Sequence, residues 1–156
     1  MVETPALDRQ EALNVCGGDE DMFLNFLSVY DEGSLNPHAL RLHKGIMKKD
    51  FEEIRLGGYF LKCGAGYICA KRIYDLSVEF QRKGTLQESM DSILKDYMEF
   101  LNEARKVKKE IAQILKRPIS LDTADFERFE QQVRKAYPEN FPVPKVSPLC
   151  HGCNIF

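Results

Sequence analysis

The chain has no uninterrupted apolar stretch of the roughly 18 residues needed to cross a bilayer, and the segment 1–10 shows no apolar run behind a basic region. These absences predict a protein without a spanning helix or secretory leader, made and kept in the cytoplasm. An excess of either charge is missing too. With 22 basic and 24 acidic residues the formal net charge is -2, so no global field holds nucleic acid or an acidic membrane, and any partner must be chosen by a local surface. The five cysteines (Cys16, Cys63, Cys69, Cys150, Cys153) are an odd number without the spacing of a disulfide framework, and are read as reduced thiols. Paired carboxylates, a nucleophile with a neighbouring histidine and a phosphate-binding loop are all absent as motifs. The expectation is therefore no enzyme, no cofactor and no metal.

Proline is absent between Pro37 and Pro118, whereas Pro138, Pro142, Pro144 and Pro148 crowd the C-terminal part. The middle is thus predicted helical and the tail not. Gly17, Gly18, Gly33, Gly45 and Gly84 fall between stretches with three-and-four apolar spacing, and are read as loop or helix-end positions. Helices are predicted at about 6–15, from about 19 with Met22, Phe23, Phe26, Leu27 and Tyr30 on one face, and from a cap at Asn36 with Pro37 at the first helical position. A fourth starts near Asp50 and places Phe51, Ile54, Gly58, Leu61 and Ala65 on its core stripe. A fifth covers about 67–81, a sixth runs from Leu86 to Leu115 and ends at Pro118, and a last one covers about 122–135. The basic run Arg105, Lys106, Lys108 and Lys109 on the sixth is read as a solvated face. The fold class that follows is all-α, an up-down antiparallel four-helix bundle with additional N- and C-terminal helices. It divides into a bundle over 1–118, an extra helix over 119–137 packed on or beside it, and a flexible proline-rich tail over 138–156.

Around the fourth helix the chain reads Leu56, Gly57, Gly58, Tyr59, Phe60, Leu61, Lys62, Cys63, Gly64, Ala65, Gly66, followed by Ile68, Cys69 and Ala70. This segment resembles the histidine-phosphotransfer domain, whose signature is histidine, any residue, leucine, lysine, glycine, small residues and a closing leucine-glycine pair. The nearest flavour is the single-domain phosphorelay intermediate of fungi, with Leu56-Gly57 upstream of the acceptor. Gly17-Gly18-Asp19-Glu20 before an apolar helix also resembles that family's opening. The likeness covers about residues 6–115, but only the dozen residues around Tyr59 carry specificity. Counting back from Leu61-Lys62 puts the acceptor at Tyr59, while counting forward from Leu56-Gly57 puts it at Gly58; neither is histidine. Cys63 replaces the glycine after the lysine, and Gly33 with Pro37 interrupts what is often one long helix. His38 and His43 precede the motif and are read as ordinary surface or half-buried residues.

Helical spacing puts Arg55, Tyr59, Lys62 and Gly66 on one exposed face opposite Phe51, Ile54 and Leu61. The resemblance implies that this face docks a receiver domain. Lys62 would keep the charge that neutralises phosphoryl oxygens, Gly64 and Gly66 would preserve access, and Lys71 would stand where the family has a polar partner for its histidine. A phenol is almost wholly protonated at neutral pH and a poor nucleophile, so reversible phosphate transfer through Tyr59 is not expected. The bland alternative is that Gly57, Gly58, Gly64 and Gly66 permit close helix packing. Each costs roughly 1 kcal/mol against alanine inside a helix, which implies close approach of a neighbouring helix or a partner.

Cys150 and Cys153 have the spacing of half a zinc or redox site, but no second ligand pair exists. Read as a C-terminus, Cys153-Asn154-Ile155-Phe156 fits a prenylation box, with Cys150 open to palmitoylation. A membrane is a partner only in that case. Two readings of function follow. One is a non-catalytic pseudo-histidine-phosphotransfer protein that binds receiver domains through Arg55, Tyr59, Lys62, Gly66 and Lys71. The other is a helical adaptor or scaffold without a receiver partner, lipid-anchored through its C-terminal cysteine.

Overall fold

The computed structural model describes residues 4–119 and 125–142, and every described element is helical. Seven α-helices follow one another: α1 (Arg9–Val15), α2 (Glu20–Tyr30), α3 (Asn36–Lys48), α4 (Phe51–Ile68), α5 (Lys71–Leu86), α6 (Met90–Leu115) and α7 (Phe126–Ala136). Their starts are written in local chemistry. Asp8, Asp19, Asp50 and Asp125 each accept a backbone N–H from the first turn, and Ser89 does so for α6, satisfying donors that have no partner inside the helix. None of these helices is long and apolar enough to cross a membrane. Cys150 and Cys153 lie outside the described residues.

Four of the expected boundaries move. Asn36 does not cap a new helix: its backbone is right-handed helical, it is buried, and the chain passes from α2 to α3 through a π-helical turn, Asp31–Leu35. Gly33 and Pro37 therefore do not interrupt the rod. Pro37 falls in the first turn of α3, directly after the π-helical turn, where a proline is tolerated. Further on, α4 continues to Ile68, beyond the expected start of the next helix at 67. In turn α5 runs past Gly84 to Leu86, and α6 starts only at Met90.

The glycines account for part of these shifts. Gly17 and Gly18 have φ of 64° and 82° and form the turn after α1 as expected. Gly45 and Gly84 instead sit inside helices, where a Cβ on Gly84 would stand 2.8 Å from both Arg55 N and Phe51 O of α4. Left-handed C-caps fall to Lys49, Cys69, Gln87 and Lys116, with φ between 51° and 55°.

Apolar residues from all seven helices meet in one core, which includes Phe23, Leu42, Ile54, Leu61, Phe80, Tyr97, Phe100 and Phe126. At roughly 1.5–3 kcal/mol for each fully buried large side chain, that core is what offsets the glycine-rich stretch. α4 and α5 form the most extensive helix pair: Gly84 meets Phe51 and Arg55 at one end, and Gly58 meets Ser77 and Gln81, so the two run antiparallel. Helix α7 packs on α6 and α3.

Among the described residues Lys83 pairs with Asp96 at 2.6 Å between α5 and α6, and two further polar clusters bear on the expectations above. His43 is 4% exposed, against the expectation of a surface or half-buried residue. Its Nε2 lies 2.7 Å from Gln132 Oε1 and its Nδ1 2.7 Å from the Tyr97 hydroxyl, and its ring stacks on Phe129 at 4.1 Å. Because an amide oxygen only accepts, Nε2 carries the proton and Nδ1 accepts from Tyr97. Burial holds the imidazole below its ordinary pKa of 6.5, opposed by the Gln132 hydrogen bond and helped by Arg128.

The second cluster corrects the basic run. Lys108 is buried and pairs with buried Asp31 at 2.7 Å, while Arg117 reaches the same carboxylate at 2.9 Å. Arg105 donates to Phe126 O and Glu130 of α7. Lys109 is exposed and Lys106 pairs with Glu103 on its own helix, so half of the run is surface while Arg105 and Lys108 tie helices together.

Candidate functional site

The outer side of α4 carries Arg55, Tyr59, Lys62 and Gly66 in a row, with Tyr59 41% exposed and Arg55 and Lys62 half-buried. It has this side free because Ile54, Gly58, Leu61, Ala65 and Ile68 face inward against the neighbouring helices. Lys62 Nζ lies 5.3 Å from the centre of the Tyr59 ring, and it donates to Gln81 Oε1 of α5 at 3.2 Å. The ammonium is thereby held between an aromatic face and an amide oxygen. Neither neutralises it, so its charge remains available to an incoming anion.

Arg55 is different. Glu52 on the preceding turn binds it through both carboxylate oxygens, at 2.8 and 2.5 Å, and that hydrogen bonding holds the Glu52 carboxyl below its usual range. Its charge is largely spent within the helix. Phe60 packs edge-on to Tyr59 at 5.3 Å, with the His38 ring stacked on Phe60 at 4.8 Å and Arg41 lying 5.5 Å over it. This aromatic cluster fixes where the Tyr59 backbone sits.

The glycines of α4 divide sharply. A Cβ on Gly58 would stand 2.7 Å from Ser77 O and 2.8 Å from Gln81 N, both backbone atoms of α5. No side chain can project there, so of the two positions Gly58 and Tyr59 only Tyr59 presents a side chain to solvent. Gly57 abuts Leu42 of α3 at 3.1 Å. Gly64, expected to keep the outer face accessible, does another job, because a Cβ there would collide with Ser34 Oγ and the Tyr30 ring. Gly66 alone is open, with nothing nearer than the Tyr74 ring at 3.9 Å.

Lys71 is not part of this row. It opens α5, roughly 14 Å further along the axis than Tyr59 by helical rise, and lines a separate cleft with Arg72, Asp75, Glu103 and Glu110. The polar group that α5 brings to this row is Gln81 instead, which binds Lys62, and Tyr74 and Val78, 40% and 38% exposed, add apolar surface on the same helix. Nothing in the sequence around Gln81 marks it; only the antiparallel α4–α5 pairing brings it to Lys62. Neither His38 nor His43 belongs to this row, since both ring nitrogens of His43 are occupied inside the core and half-buried His38 lies flat on Phe60.

Chemically the site offers a fixed cation, an amide and an exposed phenol, surrounded by apolar surface. Among the described residues no three or more His, Cys, Asp or Glu side chains come together to hold a metal. Compared with known protein families, with characterised proteins and with solved structures, the chain has no significant match in any of the three.

Proposed function

We propose that the chain is a non-catalytic pseudo-histidine-phosphotransfer protein that binds the receiver domain of a response regulator or hybrid histidine kinase, and so modulates a phosphorelay without carrying phosphate. On this reading the bent α2–α3 rod, α4, α5 and α6 are the four members of an up-down antiparallel bundle, with α1 and α7 added to it. The antiparallel α4–α5 pair and the two-residue connections 49–50 and 69–70 support that arrangement.

The observation that carries the reading is the exposed Tyr59 with Lys62 beside it, anchored from the neighbouring helix by Gln81. A receiver's phosphorylation site is acidic and gains about one further negative charge when its aspartate is loaded, which matches a fixed ammonium framed by apolar surface. Phosphate transfer needs a nucleophile that the position lacks. Binding needs only the charge and the shape, so the protein competes with or tethers working relay components.

Titration of a phospho-mimicked receiver domain against the wild-type chain and Lys62→Glu tests this. The charge reversal weakens binding by about tenfold or more. Equal affinity in both, or no binding in either, contradicts the reading.

A further inference from the structure

On the other side of α4, away from Tyr59, its C-terminal half leaves a cavity of about 390 Å³ against α2 and the π-helical turn, lined by Phe26, Val29, Tyr30, Ser34, Gly64 and Tyr67. Its size falls within the range of small-molecule sites. Val29 and Tyr67, 61% and 63% exposed, form the rim, and Phe26 meets Tyr67 edge-on at 6.0 Å. Ile68 completes the lining, and none of the seven residues is charged, which disfavours an ionic occupant that would have to shed its water without compensation.

The polar groups at this cavity are incomplete. Ser34, half-buried, brings a hydroxyl to the wall. Tyr30 also lines it and is 3% exposed, and its buried hydroxyl has no hydrogen-bond partner among the described residues. Native structures rarely leave such groups unsatisfied. Ser34 belongs to the π-helical turn Asp31–Leu35, and turns of that kind recur at functional sites. Gly64 lets that turn approach α4 so closely, since any side chain would strike Ser34 and the Tyr30 ring.

We propose that this cavity binds a small, flat, mostly apolar molecule of one or two rings that carries a single hydrogen-bonding group. Aromatic edges from Phe26, Tyr30 and Tyr67 favour a planar occupant, and the Ser34 hydroxyl fixes its orientation. Water in such a place has too few polar partners to be held firmly, so an apolar ring displaces it at little cost. The site shares no residue with the Tyr59, Lys62 and Gln81 surface, and its existence does not depend on receiver binding.

Indole is a suitable probe, titrated into the full chain while the backbone amides are followed by two-dimensional NMR. The expected result is a saturable response confined to amides in segments 26–34 and 64–68. Val29→Gln and Tyr67→Gln change exposed rim residues that the fold does not need buried, and each weakens indole binding by about tenfold. Shifts that rise linearly without saturating, a saturable response centred elsewhere, or unchanged affinity in both variants overturns the proposal.

Discussion

The inner and outer sides of α4 are built from the same small residue for opposite reasons. Inside, Gly57, Gly58 and Gly64 stand where backbone or side-chain atoms of α3, α5 and the π-helical turn leave no room for a Cβ. Outside, Gly66 faces open space beside Tyr74, in line with Tyr59 and Lys62. A glycine-rich helix is therefore not uniformly a docking surface. Most of these positions are packing devices, and the surface available to a partner is the narrower strip that begins at Tyr59.

The same contrast between inside and outside separates the charged groups, and there the largest effect is expected. Asp31→Asn leaves the buried Lys108 ammonium without its counter-charge, whereas the pair of Arg55 and Glu52 lies on the surface. Urea unfolding should show a loss of about 3–5 kcal/mol for Asp31→Asn, and almost no change for Glu52→Gln. Comparable losses would break the distinction.

Next in size is Gly58→Ala. Its Cβ would meet Ser77 O at 2.7 Å and Gln81 N at 2.8 Å, so α4 and α5 must separate, and a loss of about 1–3 kcal/mol is expected despite the better helix propensity of alanine. Gly66→Ala sharpens the comparison by reversing its sign. With no neighbour to displace, it should gain about 0.5–1 kcal/mol.

The histidines extend the contrast to pH. Burial lowers the pKa of both His43 and His38 from 6.5, with Arg128 adding to the effect at the first and Arg41 at the second. The unfolded chain then binds protons that the folded chain refuses. Stability is accordingly full above pH 6.5 and falls as the pH drops below it through the folded values. His43 has both nitrogens occupied in the core, so His43→Gln should remove more of this acid slope than His38→Gln, as read from urea midpoints across pH 7 to 5.

Much of this architecture was legible locally. Asp19, Asp50 and the three-and-four apolar spacing marked α2 and α4, and the alternation of Arg55, Tyr59, Lys62 and Gly66 with Ile54, Leu61 and Ala65 separated the faces of α4 before any neighbour was known. Gly45 and Gly84 fall in the last turns of α3 and α5, near the helix ends their type suggests, but a glycine that ends a helix and one that admits a neighbouring backbone look alike in one dimension. What distinguishes Gly84 is Phe51 and Arg55, some thirty residues earlier in the chain. Asn36-Pro37 is a sound helix start by local rules, and a π-helical turn overrode it. Lys108 read as solvated because its partner, Asp31, lies on another helix, and Gln81 escaped notice for the same reason. Contacts between helices decided each of these, and local periodicity does not encode them.

A Gly66→Trp variant tests most directly whether the outer strip of α4 is the binding surface. Its side chain projects into open space beside Tyr74 and leaves the inner contacts untouched. Calorimetric titration of a receiver domain against folded wild-type and Gly66→Trp protein should show binding to the first and its loss in the second, with thermal unfolding of the two alike. Undiminished affinity in Gly66→Trp would contradict the claim that partners dock along Tyr59, Lys62 and Gly66.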